Sequence, residues 1–64
     1  MYNYRIDWID HVTGSKCCDF LSRESAIWEA KNDILGEIVS ITKIIWIGDE
    51  CEESENLLAE FKAL

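Results

Sequence analysis

A chain of 64 residues has room for one domain, and a domain this small buries only about 60% of the surface its unfolded chain exposes. The formal net charge is −7, and the six Lys and Arg are scattered (Arg5, Lys16, Arg23, Lys31, Lys43, Lys62). Direct binding to nucleic acid or an anionic membrane, which needs clustered cations, is therefore not expected. Three Trp, two Tyr and two Phe supply large units of buried area, so a folded domain is expected rather than a disordered tail.

Residues 2–9 alternate, with Tyr2, Tyr4, Ile6 and Trp8 on one face and Asn3, Arg5 and Asp7 on the other. That period predicts a half-buried strand. Thr13-Gly14-Ser15 reads as the turn of a hairpin, and KCCDFL as the returning strand. Ser22 is placed to cap a helix over roughly residues 23–35, with Glu24 favourable in the first turn. Ile27, Ala30 and Ile34 would form its core stripe, beside Ala26 and Leu35, and Gly36 would stop it.

IVSITKIIWIG is β-branched and predicts a long third strand ending at Gly48. Its alternating faces are Val39, Ile41, Lys43, Ile45, Ile47 and Ile38, Ser40, Thr42, Ile44, Trp46. The last segment reads as a helix from about Asp49 or Glu50, with Leu57, Leu58, Phe61 and Leu64 on its packing face. The expected fold is a single α+β domain over 1–64 with ββαβα connectivity. A right-handed crossover would place the third strand beside the first, giving a three-stranded antiparallel sheet of order 2-1-3. One helix would cover one face, with the C-terminal helix beside it or at an edge.

The segments YRIDWIDHVTGSKCCDFL, SRESAIWEAKN and IVSITKIIWI together resemble small acidic proteins of phages and mobile elements. Those show two strands, a Ser-capped helix and an I-x-x-I strand. The resemblance covers about three quarters of the chain and is one of fold pattern; no functional motif carries over. Some such proteins inhibit host defence nucleases or DNA-repair enzymes, a few by imitating DNA. It implies a protein-binding inhibitor acting in the host cytoplasm.

An odd count of three cysteines, and no basic and apolar leader in MYNYRIDWID, also point to a cytoplasmic setting. The longest apolar stretch, around IIWI, is too short to cross a bilayer.

Catalytic chemistry finds little footing. Cys17 and Cys18 would point to opposite strand faces, which disfavours one tetrahedral metal site, and no metal or cofactor is expected. His11, the single histidine, falls near the turn, and 64 residues leave little room for a catalytic cleft. A non-enzymatic domain is expected, with a thiol- or metal-dependent enzyme a distant alternative.

The candidate partner-binding residues are acidic and aromatic. IGDECEESEN carries Asp49, Glu50, Glu52, Glu53 and Glu55, and no Lys or Arg lies between Lys43 and Lys62. A helix N-terminus is favoured by two or three acids, at about 0.3–1 kcal/mol each; the rest exceed that need. On a helix, Asp49, Glu52 or Glu53, and Asn56 would recur at a pitch of about 5.4 Å, comparable to phosphate spacing. Glu60 would extend this strip, and Glu29, Asp33 and Glu37 would form a second at i, i+4, i+8. Ile44 and Trp46 would stand on the open sheet face near Ile9 and Leu21, as a partner or dimer patch unless the C-terminal helix covers them. The expected partner is another protein with a basic surface; the alternative is a homodimer through the third strand and Trp46.

Overall fold

The computed structural model describes residues 3–64. Its elements are β1 (Tyr4–Asp10), β2 (Lys16–Leu21), α1 (Arg23–Asn32), β3 (Gly36–Ile47), β4 (Glu50–Glu53) and α2 (Leu58–Lys62). The fold is α+β. The sheet is antiparallel throughout and four-stranded, in the order β2-β1-β3-β4. The expected order 2-1-3 is contained in it, but the fourth strand was not expected, and the connectivity is ββαββα. Tyr2, placed in the first strand by its alternation, lies outside the described residues.

The first hairpin forms where the sequence places it. The Asp10 carboxylate accepts from the backbone N–H of Val12 (2.7 Å) and Thr13 (3.0 Å), an Asx turn that fixes the loop. Gly14 takes the positive φ of 71° that lets the chain reverse. Pairing runs from Ile9 opposite Lys16 to Tyr4 opposite Leu21. Cys17 lies opposite Trp8 and Cys18 opposite Asp7, so the two thiols are on opposite faces as expected.

Ser22 caps α1, its side chain accepting from the Ser25 N–H at 3.2 Å. The helix stops at Asn32, earlier than the periodicity suggests. Asp33 takes the left-handed cap at φ 50° and donates its N–H to the Glu29 carbonyl at 2.9 Å. Ala26 and Ala30 are fully buried on the sheet, with Ile27 beside them, whereas Ile34 lies past the helix end and is 62% exposed. Gly36 does not stop the helix; it opens β3 opposite Asp10. A Cβ there would sit 2.1 Å from the Ile9 carbonyl oxygen, so only glycine fits.

Strict alternation does not describe β3. Asp7 lies opposite Ser40 but Trp8 opposite Ile38, a register shift that makes Val39 the extra residue of a bulge. The bulge puts both Ile38 and Ile41 on the helix-covered face, and Val39 is left 51% exposed. The core is Ile6, Ile38, Ile41, Ala26, Ala30 and Phe61, ringed by Tyr4, Trp8, Leu21, Ile27, Leu57 and Leu58. Phe61 is the main buried residue of α2; its ring lies 5.7 Å from that of Tyr4, and the Arg23 guanidinium sits 5.9 Å from its centroid. Leu64, expected on the same face, is 54% exposed.

The acidic run is a strand where a helix was expected. Ile47 pairs with Glu50 around the two-residue turn Gly48-Asp49, with Gly48 at φ 62°. Glycine with positive φ at the first central position suits a tight hairpin turn. A helix from Asp49 would have had no apolar face before Leu57 and would have crowded five like charges into two turns. Pairing with the outer edge of β3 satisfies backbone groups on both strands instead.

Candidate functional site: the acidic β3–β4 hairpin

The hairpin extends past β1, whose pairing with β3 ends at Tyr4 opposite Lys43. Pairs Ile44–Glu53 and Trp46–Cys51 share the face turned away from the helices; Ile45–Glu52 and Ile47–Glu50 share the other. Asp49, Glu50, Glu52, Glu53 and Glu55 are all exposed. So are Ile45 (44%), Ile47 (57%) and Trp46 (63%), which makes the hairpin apolar along one strand and acidic along the other. Ile44 differs: it is only 7% exposed, and its N–H donates to the Asn3 carbonyl at 2.6 Å.

One cation reaches this hairpin from β1. Arg5 bridges Glu53 at 3.2 Å and Asp7 at 3.2 Å, and the two carboxylates hold its guanidinium more firmly protonated, Asp7 most strongly. Asp7 also accepts from the Ser40 hydroxyl at 3.2 Å, so a polar network crosses β1, β3 and β4 on the open face. Alternation placed Arg5 on that face; its reach to Glu53 could not be read without the fourth strand.

Trp46 is not covered by α2, which packs on α1 and β3. Nor are Ile9 and Leu21 its neighbours. Ile9 lies opposite Glu37 at the far end of β3, and Leu21 belongs to the helix-side core.

The second acidic group does not form a helical strip. Glu29 is on α1, Asp33 is the left-handed cap, and Glu37 is on β3. Burial, and then the charge of Asp33, push the Glu29 carboxyl above its ordinary value. Asn56 also leaves the proposed strip. Its side chain ties the segment after β4 to β3, accepting from Ile41 N–H (3.1 Å) and Leu58 N–H (3.0 Å) and donating to the Val39 carbonyl (3.3 Å).

At the bulge, Asp7, Trp8, Lys16, Cys17, Val39 and Ser40 line a shallow cavity of about 230 Å³. Sequence reasoning missed it: its lining comes from three strands, around the register shift at Asp7/Trp8. The Cys17 thiol donates to the Ser15 carbonyl at 3.7 Å. Among the described residues, no group of three or more His, Cys, Asp and Glu is arranged to hold a metal ion, and no helix is long and apolar enough to cross a membrane.

Comparison with known proteins gives no match: no family model, no curated protein and no solved structure aligns significantly with this chain.

Proposed function

We propose that this protein is a non-enzymatic binding module that presents its acidic hairpin to a basic surface of another protein. The fuller form of the reading is a phage-type inhibitor that occupies the nucleic-acid-binding groove of a host defence protein in the cytoplasm. One observation carries it: five exposed carboxylates, Asp49, Glu50, Glu52 and Glu53 on one hairpin and Glu55 just after it, of which Arg5 engages only Glu53. Their spacing is that of a strand. Glu50 and Glu52, on one face, stand roughly 6.8 Å apart, about twice the rise per charge along one DNA strand. Any mimicry of DNA is thus one of charge density and not of helical pitch.

The test is a partner captured from host lysate and then challenged. Binding should weaken as salt is raised from about 0.05 to 0.5 M, duplex DNA should compete, and Glu50→Lys with Glu52→Lys should abolish it. Capture unchanged across salt and insensitive to DNA sinks the reading. The exposure of Trp46, flanked by Ile45 and Ile47, favours one second reading, a homodimer through β3. Light scattering of the isolated protein decides it: a stable dimer that Trp46→Lys converts to monomer supports this reading, and a monomer removes it.

A further inference from the structure

The sheet has two outer edges, β2 and β4, and they are not equivalent. An open edge presents a row of backbone donors and acceptors that can pair with another strand. On β2, the turn bond from Asp10 N–H to the Ser15 carbonyl (3.0 Å) sets the alternation that turns the Phe20 N–H outward. That N–H is already taken by the Asp19 carboxylate at 2.8 Å, which blunts the edge. On β4, Ser54 N–H donates to the Lys43 carbonyl at 2.9 Å, so residues 43 and 54 form a hydrogen-bonded pair. Alternation then makes Ile45–Glu52 and Ile47–Glu50 hydrogen-bonded pairs, and leaves the backbone groups of Cys51 and Glu53 facing away from β3.

We propose that the outer edge of β4 is a docking site for an extended cationic segment of a partner protein, which adds as a fifth strand. The outward N–H and C=O of Cys51 and Glu53 supply the pairing, and alternating Lys or Arg in the segment meets Glu50 and Glu52 on the face those two share. Charge selects the occupant. A second copy of β4 added antiparallel would set acid against acid, Glu52 against Glu52 when Cys51 lies opposite Glu53 or Glu50 against Glu52 when Cys51 lies opposite itself, and like charges directly opposite are destabilising. Apolar residues interleaved in the segment would lie toward Trp46 and Cys51. The proposal rests on the hairpin being the partner-facing element, and it adds that recognition runs through the backbone and not through charge alone.

The test uses a synthetic hexapeptide of alternating lysine and valine, the same peptide N-methylated at every residue, and the isotope-labelled full chain. The unmethylated peptide should slow amide exchange at Cys51 and Glu53, and the methylated one, equal in charge, should not. Cys51→Pro removes an outward N–H without altering net charge, and proline is tolerated on an edge strand whose N–H faces solvent. It should weaken binding by roughly tenfold, the scale of losing a well-formed backbone pairing, while Cys51→Val binds like the wild type. Protected amides at Ile6 and Ile41 establish that the variant is folded; if it is not, the methylated peptide decides alone. Equal binding of both peptides, lost in the Glu50→Lys, Glu52→Lys variant, overturns the edge proposal and leaves the acidic-surface reading intact. No binding of either peptide, or protection on β2 instead, overturns the edge proposal and removes the support that the hairpin gives to the functional reading.

Discussion

The side-chain oxygen of Asn56 accepts the backbone N–H of Ile41, in the middle of β3 and beyond the end of β4. The amide thus acts as a stretch of strand. It takes the N–H of Ile41, gives its own N–H to the Val39 carbonyl, and turns the chain into α2 through Leu58 N–H. Asn56→Ala should leave the Ile41 N–H without its partner beneath a fully buried side chain. Such a loss costs about 1–3 kcal/mol, and α2 would loosen from β3 with it. Urea denaturation would measure it, and a change below about 0.5 kcal/mol would show that water replaces the amide without penalty.

Gly36 is held by the approach of β1. Gly36→Ala would drive a methyl group to 2.1 Å from the Ile9 carbonyl oxygen, a backbone atom with no freedom to rotate away. The start of β3 must shift, and overpacking of this kind typically costs about 1–3 kcal/mol. Amide exchange of Asp10 and Glu37 should accelerate selectively. An unchanged melting temperature would refute the close approach.

Asp10 fixes the first hairpin through its carboxylate. The N–H groups of Thr13 and then Val12 stabilise the charged form and lower its pKa. The sign follows from linkage. Stability from this group is complete above the unfolded carboxyl value, near pH 4, and is lost as pH falls through the lower folded value. Wild type should therefore exceed Asp10→Ala in stability at neutral pH, and the two curves should converge in acid. Parallel curves down to pH 2 would place the stabilisation elsewhere than in the charged carboxylate.

The first hairpin, the capped helix and the antiparallel set of order 2-1-3 were legible because each rests on a local signal. Those signals are alternation in β1, Gly14 in the turn and Ser22 before α1. Three features were not. The bulge at Val39 arises from the register against β1, which no property of IVSIT encodes. Asp33 takes the helix cap because Gly36 is needed three residues later against Ile9, a tertiary demand that overrides the local preference. The strand at ECEE is chosen by the open edge of β3; its charge density alone suits a helix start as well. The acids of the run from Asp49 to Glu55 were expected on a helix and stand on the turn, on β4 and just after it, so their spacing and their neighbours changed.

Glu29 and Asp33 form a small destabilising pair at neutral pH. Burial is the main cause that raises the Glu29 carboxyl, one of its oxygens is buried without a hydrogen-bond partner, and Asp33 adds a like charge. A carboxyl whose folded pKa is raised favours the folded state when protonated, and this advantage disappears as pH rises through the folded value. Glu29→Gln should therefore stabilise the protein at pH 7, with the gain vanishing in acid, where the wild-type carboxyl is also neutral. The site is partly exposed and screened, so the gain should be about 0.5 kcal/mol. Asp33→Gly should add roughly 0.5–1 kcal/mol by relieving the left-handed backbone, and should lower the Glu29 pKa by removing its neighbour's charge. Because the two substitutions share one charge interaction, the double variant should gain less than the sum of the singles. Stability curves at pH 4 and pH 7 for all three variants would check this. A Glu29→Gln gain that persists undiminished in acid would assign it to packing and not to charge.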